Sequence, residues 1–568
     1  MNEIVDQQAG AEKLRELGER YFLTQHTFDP YNASLLGLDE FDGLPCDPSV
    51  EASEGAHEKF TGIAEELAGI DPENLDIAGR IDHSVLEMLN RGAQNDAKNS
   101  LWAANISAKS YVSRQALIFQ AIPAMTVASP DGADRYLSRI SGVGRTLDGI
   151  AARYSHEAQQ GRISTAVGIT HAIDQLEGYL AVSLAEDSLL NPARGYRDGS
   201  VEERARGIVE REIRPAMSDL LTLLRNELLP DARPDGQAGL TFSEGGEEAY
   251  RDSVQRFTTT NRSPAEIHQF GLDILEDLKV EWGAAAELAL GERDPKVVSQ
   301  RMQNDPELRS RSREEVIDIA ERALVRADQA RNGYFPPYQI PGCVIEEIDP
   351  VDAAHSGSGS YRPPAADGSR PGAYRIVLAS PPRQYKYELE ALTFHESIPG
   401  HHMQLSVCQT LEIPRYRRHL DVELCGFIEG WGLYSEQLAD EMGLYTSELQ
   451  RLGMLTFSML RACRLVIDTG IHYYGWSREK GQSFMRDNTV TPEANVRNEV
   501  DRYIAWPGQA LAYMIGKQEI LRLRTDAMES MGSRFSMTGF HGAVLENGAV
   551  PLATLAQHIE RWKQTSVA

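Results

Sequence analysis

The sequence predicts a mainly α protein, because signals for the start of helices recur along most of its 568 residues. Ser200 and Ser312 each stand three positions before a glutamate, the spacing of a capping box, and Ser263 does so with proline at the first helical position. After Ser263 the apolar residues follow the three-and-four spacing of one buried helical face: Ile267, Phe270, Ile274, Leu275 and Leu278. Most of the chain is therefore expected to form amphipathic helices.

Two features interrupt this helical pattern. A loop rich in Gly, Pro and Asp at 229–247 divides a helical N-terminal part, 1–240, from a C-terminal part, 241–568, or joins two lobes of one continuous domain. In the C-terminal part, 343–348 and 374–378 are predicted to be short strands on either side of a Gly/Ser/Pro loop at 355–371. The edge of this small sheet either pairs with an extended substrate or only covers the core.

Composition and charge exclude several classes of partner. The chain is 41% hydrophobic and 25% charged, as in an ordinary globular protein, and its net charge of −27 repels nucleic acid and anionic membranes. Its start lacks the basic-then-apolar pattern of a signal peptide, and no apolar run is long enough to span a membrane. Five scattered cysteines without a C-x-x-C pair are typical of a reducing cytoplasm. We therefore expect a cytoplasmic protein without a nucleic-acid or membrane partner; the sequence does not predict its oligomeric state.

The most informative stretch is HESIPGHH, which begins at His395 and ends at His402. Zinc hydrolases hold the metal through imidazoles and place a carboxylate beside it to take a proton from the attacking water. Neighbouring residues of a helix point about 100° apart, so His395 is predicted to bind zinc while Glu396 acts as general base. Pro399 occupies the position of the second histidine of the usual H-E-x-x-H motif, and the second ligand must therefore come later.

Two histidines compete for that second position. On an ideal helix His401 points about 120° away from the face of His395, whereas His402 returns to within about 20° but lies roughly 10 Å along the axis. Pro399 has no N–H to bond the carbonyl of His395, and Gly400 tolerates unusual dihedral angles, so we expect a kinked or bulged helix here. Such a bulge favours His401 as the second ligand, with His402 as the alternative.

The third zinc ligand is predicted on a second helix. Glu429 follows Phe427 and Ile428 and precedes Trp431, and these apolar neighbours favour a buried glutamate over one on the surface. Glu436 stands two turns further on, where it is expected to hydrogen-bond an imidazole and fix its tautomer.

At this point the chain resembles a known family. HESIPGHHMQ, FIEGWGLYSEQLADEMG, RLVIDTGIHYYGWSRE and DRYIAWPGQALAYMIGKQEILRLR, within about 245–525, are similar to a large bacterial family of uncharacterised HExxPGHH proteins. That family is regarded as related to the glutamate-zincin metallopeptidases. The resemblance implies a mostly helical, two-lobed body with a central cleft. By similarity to helical zinc peptidases that use a late tyrosine, Tyr513 is expected to stabilise the oxyanion, although a core tyrosine with a satisfied hydroxyl is the alternative.

Tyr503 and His472 are the next candidates for the oxyanion. Asp468 and His472 share one helical face, where they are expected either to hydrogen-bond or to reach the cleft. Together these observations predict a zinc-dependent hydrolase that cleaves short peptides as an exo- or oligopeptidase. Residues 241–568 would then form a metallopeptidase-like catalytic part, with a short peptide as partner and Zn²⁺ as cofactor. A zinc hydrolase of non-peptide amides or esters is one alternative, and a non-catalytic helical binding protein is another.

Overall fold

The computed structural model describes residues 2–109, 113–348, 359–364, 370–378, 384–420 and 423–565. The predicted mainly α class with a small sheet is confirmed. The α-helices of the first half are α1 (Asn2–Phe28), α2 (Pro30–Leu35), α3 (Val50–Ala68), α4 (Ile77–Asn99), α5 (Leu101–Ala104), α6 (Arg114–Ala124), α7 (Pro130–Gln159), α8 (Ala166–Ala181), α9 (Gly199–Ile208), α10 (Arg214–Leu223), α11 (Gly246–Thr258) and α12 (Pro264–Leu290).

The strands lie between the helices of the second half. They are β1 (Cys343–Glu347), β2 (Gly359–Arg362) and β3 (Gly372–Ile376). The α-helices are α13 (Pro295–Asn304), α14 (Arg313–Ala330), α15 (Lys386–Glu396), α16 (His401–Thr410), α17 (Arg415–Arg418), α18 (Cys425–Glu441), α19 (Glu448–His472), α20 (Arg478–Asn488), α21 (Glu493–Ala505), α22 (Ala512–Met531), α23 (Met537–Leu545) and α24 (Leu552–Thr565).

Two of the three predicted capping boxes begin helices as expected. The Ser263 hydroxyl accepts from the N–H of Glu266 at 3.3 Å, and the Glu266 carboxylate accepts from the N–H of Ser263 at 2.7 Å. Ser312 also caps α14 and accepts from the N–H of Glu315 at 3.2 Å, but the Glu315 carboxylate accepts from the N–H of Arg311 at 2.6 Å, so the box there is not reciprocal. The prediction at Ser200 is wrong, because Asp198 caps α9 and accepts from the N–H of Ser200 at 3.0 Å. A carboxylate at this place satisfies the first free N–H groups and also suits the positive end of the helix.

The sheet has the strand order β1–β3–β2. β1 runs parallel to β3, and β2 runs antiparallel to it with Tyr361 opposite Tyr374. β2 lies inside the stretch predicted as a loop, because backbone pairing with β3 outweighs the weak strand propensity of Gly359 and Ser360. The remaining residues of that predicted loop at 355–358 and 365–369 lie outside the described residues. Pairing of an edge strand with substrate stays a prediction.

Three large buried apolar clusters form most of the core. One joins α1, α3 and α4 to the C-terminal helices, a second lies within residues 31–228, and a third lies within residues 238–552. In the third cluster α12 packs along α19, and Ile267 and Leu275 from its predicted apolar face are fully buried. The boundary near residue 240 stays a prediction. In the part of the chain that is described, no helix is both long and apolar enough to cross a membrane.

Candidate metal centre

The HESIPGHH stretch joins two helices and interrupts the helical backbone between them. α15 ends at Glu396, and α16 begins at His401. A Cβ atom on Gly400 would lie 1.9 Å from the carbonyl oxygen of His395, so only glycine permits this close return of the backbone. The Trp431 indole donates to the carbonyl of Pro399 at 2.9 Å and ties the turn to α18. The predicted kink is therefore a complete break.

This break places two imidazoles side by side. The ring centroids of His395 and His401 lie 4.7 Å apart, with the rings perpendicular to each other. Glu429 of α18 completes a group of three side chains whose ligand atoms all lie within 4.8 Å of one another. Its Oε2 lies 3.5 Å from His395 Nε2 and 3.4 Å from His401 Nε2. The three residues predicted as ligands thus lie together, and we call them the His395 cluster.

The distances within the His395 cluster are longer than hydrogen bonds. An N–H···O bond spans about 2.7–3.2 Å, and Glu429 Oε2 is buried without a hydrogen-bond partner among the described residues. Two ligands, each about 2.0–2.1 Å from one tetrahedral zinc ion, lie about 3.3 Å from each other. The separations of 3.4 and 3.5 Å therefore fit two imidazoles and a carboxylate that share one cation.

His402 points away from this cluster. Its Nε2 lies 2.9 Å from the carbonyl oxygen of Pro341, and its Nδ1 lies 2.9 Å from the Tyr361 hydroxyl. Because a carbonyl only accepts, Nε2 carries the proton and Nδ1 accepts from the tyrosine. Both nitrogens are engaged, and the structure brings His401 rather than His402 to His395.

The orientation of His395 is set by Glu436. Glu436 Oε1 accepts from His395 Nδ1 at 2.8 Å, so Nε2 is turned toward Glu429, as the sequence predicted for this glutamate. Burial lowers the pKa of His395, but Glu429 and Glu436 outweigh burial and raise that pKa to about 10. Burial opposes the charge of Glu429, yet the two imidazoles hold its pKa well below the usual value. Carboxylates that attract a proton so strongly to this ring also attract a metal cation.

Gly432 allows α18 to approach the imidazoles of His395 and His401 closely. It lies on the same side of α18 as Glu429, one turn later. A Cβ atom on it would lie 2.7 Å from His395 Cε1 and 3.0 Å from His401 Cε1. Both contacts are shorter than van der Waals separation, so any larger residue would push the two imidazoles away from Glu429.

Glu396 and Tyr513 also lie at the cluster. Glu396 is 8% exposed, and burial raises its pKa while the charges of His395 and His401 oppose this shift. The ring of Tyr513 stacks on that of His395 at 6.5 Å, and its hydroxyl lies 3.3 Å from an Arg502 nitrogen that donates to it. Burial is also the main cause that raises the pKa of Tyr513. Both residues predicted to act beside the ligands are therefore near them.

His472 is the predicted catalytic residue that the structure does not bring to this cluster. Its Nδ1 accepts from the N–H of Leu240 at 3.1 Å, and its Nε2 donates to the carbonyl of Tyr503 at 2.9 Å. Asp468 does not bond to it either, because its carboxylate accepts from the Tyr250 hydroxyl at 2.6 Å. His472 is fully buried and both its nitrogens are satisfied, so we do not carry it into the proposed site.

Sequence reasoning missed two arginines of α19. Arg464 lies over the ring of Tyr513 at 4.6 Å, and Arg461 lies 6.0 Å from the same ring. Both side chains are buried, at 7% exposure for Arg461 and 5% for Arg464. The available signal was the stretch MLRACRLVI, in which two charges stand inside an otherwise apolar helix.

Comparison with known proteins identifies a family for this chain but assigns no activity to it. None of the curated proteins matches the chain. A "putative lipoprotein" from Colwellia psychrerythraea has a crystal structure similar to this one, with TM-score 0.88 and 25% identity over 98% of this chain and 99% of that chain. A "putative lipoprotein of unknown function" from Shewanella oneidensis is similar with TM-score 0.73 and 17% identity over 96% of this chain and 99% of that chain.

A protein-family model matches residues 30–559, which is most of the chain. Its description is "Bacterial protein of unknown function (DUF885)". The match includes both helices of the HESIPGHH stretch and the whole of α18, α19 and α22. The protein therefore belongs to the bacterial family of unknown function DUF885.

Proposed function

We propose that this protein is a zinc-dependent hydrolase that cleaves peptide bonds in short peptides. The observation that carries the proposal is that Glu429 Oε2 lies 3.4–3.5 Å from both His395 Nε2 and His401 Nε2 without a hydrogen bond to either, in a group whose ligand atoms all lie within 4.8 Å of one another. Two imidazoles and one carboxylate form a ligand set that catalytic zinc sites use, and this set leaves one coordination position for water. The same ligand set supports kinship with the glutamate-zincin metallopeptidases.

The residues of the chain divide the work between holding the metal and moving protons. His395, His401 and Glu429 would hold zinc, while Glu436 keeps Nε2 of His395 directed at the cluster. When bound, zinc supplies Lewis acidity that activates a water and polarises the substrate carbonyl. Glu396, next to His395 in the chain, is the carboxylate placed to accept a proton from that water and later to give it to the leaving amine.

Tyr513 is the proposed donor to the oxyanion. Its ring packs against that of His395, and Arg502 lies beside its hydroxyl. A phenol O–H aimed at the carbonyl oxygen stabilises the negative charge that develops there, and the adjacent guanidinium favours the same charge. Tyr513 is therefore expected to contribute to the rate of the reaction and not to binding of the metal.

Burial supports short peptides as substrates. The Glu429 side chain is 20% exposed, and Tyr513 is 8% exposed, so the surface of a folded protein cannot reach them. We propose that a short extended chain enters instead and places one carbonyl at the His395 cluster. The cytoplasm stays the predicted location of this activity.

The test begins with metal analysis of the purified protein. We expect close to one zinc per chain and cleavage of a mixed-sequence peptide library, followed by mass spectrometry. Glu396→Gln should abolish cleavage and retain zinc, because the amide cannot accept a proton. Zinc far below one equivalent after reconstitution would exclude the proposal. Cleavage of amides or esters in place of peptides would point to the non-peptide alternative.

A further inference from the structure

Arg461 is a buried charge that has no hydrogen-bonded partner in the described part of the chain. The residue is 7% exposed, and its Nε is buried with no partner among the described residues. In the described part of the chain the one carboxylate paired with it is Glu436, whose Oε1 lies 3.8 Å from Nη2, beyond hydrogen-bond distance. Phe457 packs under the guanidinium at 4.6 Å. Buried charges are normally paired and hydrogen-bonded, so Arg461 is suited to bind an anion from outside the protein.

Arg464 adds positive charge one helical turn further along α19. Glu499 accepts from its Nη2 at 2.6 Å and from its Nε at 3.1 Å, whereas Nη1 is buried without a partner among the described residues. Arg502 shares the same glutamate, with its Nη1 3.5 Å from the other carboxylate oxygen. One carboxylate therefore serves two guanidinium groups, and an excess positive charge remains beside Tyr513.

The two arginines lie at a suitable place for the end of a peptide. The Tyr513 ring lies 4.6 Å from Arg464, 6.0 Å from Arg461 and 6.5 Å from the His395 ring. Both guanidinium groups and a proposed zinc ligand therefore lie around the same aromatic ring. In an extended peptide each residue spans about 3.3–3.6 Å, so distances of this size are covered by one or two residues beyond the scissile bond.

Other charged groups near Arg461 do not occupy its hydrogen-bonding positions. Glu436 already accepts from His395, and Glu388 of α15 acts on Arg461 only through electrostatic attraction, without an ion pair within 4.0 Å. The buried Lys517 donates to the Ser458 hydroxyl at 3.3 Å and adds further positive charge to this region. The alternative role for Arg461 is to hold Glu436 in position, and the experiment must separate the two roles.

We infer that Arg461, supported by Arg464, binds the free C-terminal carboxylate of the peptide, and that the enzyme removes residues from the C-terminal end. This inference rests on the proposed function and names the substrate class of the same site. A planar guanidinium binds a carboxylate through two parallel hydrogen bonds, and a buried pair of this kind favours a charged end over a neutral amide by about tenfold to a hundredfold.

The test is peptide binding to zinc-loaded Glu396→Gln protein, measured by titration calorimetry. The probes are Ala-Ala-Ala-Ala, its C-terminal amide, and Ala-Ala-Ala-Glu amide, which carries its carboxylate on a side chain. We expect the free acid to bind at least about tenfold more tightly than either amide, and Arg461→Met to remove that difference. Equal binding of acid and amide, tight binding of the Glu amide, or no binding of any probe would overturn the inference.

Two further variants separate recognition from structure. Arg451→Met, on the same helix but paired with Asp440 and Glu281, should keep the preference for the free acid. If Arg461→Met does not fold, Arg461→Lys keeps the charge but loses the paired donors, and an unchanged preference in it would overturn the inference. A role limited to holding Glu436 would weaken all three probes equally and leave the preference intact.

Hydrolysis by the wild-type protein is a separate measurement. Preferential binding of the free acid without any hydrolysis would contradict the proposed peptidase function but support the carboxylate site. Hydrolysis of the free acid and the amide at equal rates would support the proposed peptidase function but contradict the carboxylate site.

Discussion

Two buried clusters of histidine and acidic side chains lie in this protein, and they differ in how their polar atoms are used. In the His395 cluster a carboxylate oxygen lies 3.4–3.5 Å from each of two imidazole nitrogens without a hydrogen bond to either. In the second, which we call the Asp468 network, Asp468 accepts from Tyr250 and from the N–H of Gly508, and both nitrogens of His472 are bonded to backbone. Convergence of unsatisfied ligand atoms, not burial of a histidine and an acid, marks the candidate metal centre.

The two clusters also differ in charge. Burial lowers the pKa of His472 to about 3 and raises that of Asp468 to about 7, so the Asp468 network favours neutral groups. In the His395 cluster the opposite charges outweigh burial, and the pKa of His395 rises to about 10. A cluster that favours charged groups suits a cation, whereas a neutral network only holds α19 against its neighbours.

The largest expected effect is loss of zinc when one ligand is removed. Glu429→Gln should lower bound zinc from about one equivalent to near zero, because the site loses both a ligand and its negative charge. Metal analysis after dialysis measures this. The matched change in the other cluster, His472→Gln, should reduce stability and leave the zinc content unchanged. Equal zinc content in the two variants would show that the two clusters do not differ in metal binding.

The next effect is on catalysis alone. Tyr513→Phe should lower kcat/KM for peptide cleavage by about a hundredfold to a thousandfold, because one donor to the oxyanion is lost. Zinc content should not change, since Tyr513 is not a proposed ligand. Tyr250→Phe is the matched control: its hydroxyl donates to Asp468 at 2.6 Å, in the Asp468 network and not in the His395 cluster. A similar fall in kcat/KM for both variants would assign Tyr513 a structural role.

A smaller effect is expected at the residue that orients His395. Glu436→Gln should weaken zinc binding by about tenfold to a hundredfold, because the imidazole loses its charged hydrogen-bond partner. Competition with a chelator of known zinc affinity measures the change. Glu441→Gln lies on the same helix, pairs with Arg524 and serves as control. Unchanged zinc affinity in Glu436→Gln would show that the ring is held by packing.

The smallest expected effect on the candidate metal centre comes from the Asp468 network, which acts on the stability of the fold through pH. The folded pKa of Asp468, about 7, lies above its ordinary value of 3.8. Its contribution to stability is therefore complete below 3.8 and is lost as the pH rises through about 7, by up to about 1.4 kcal/mol per pH unit.

Asp468→Asn should flatten this fall in the free energy of unfolding, which urea denaturation at several pH values measures. An identical pH dependence in the variant would mean that Asp468 is charged in the folded protein. Zinc content should be the same in both, because the Asp468 network does not include a proposed ligand.

Local signals in the sequence determined the helical class and most of the candidate site. The capping signals at Ser263 and Ser312 begin helices because they satisfy free N–H groups within a few residues, whatever the rest of the fold does. His395, Glu396 and Glu429 were predicted from the chemistry that a metal needs. Glu436 was predicted from helical spacing, which is also a local property.

Tertiary structure alone decided which of these side chains meet. Helical angles on an ideal helix favoured neither His401 nor His402 decisively, and the break at Gly400 turned His401 toward His395. His472 has the same residue type and a similar setting in the sequence, yet its partners Leu240 and Tyr503 come from distant segments. Arg461 was not predicted, because whether its guanidinium finds a partner depends on every element packed around it. Long-range packing, which a local pattern does not contain, decides whether a polar atom is satisfied or free to bind.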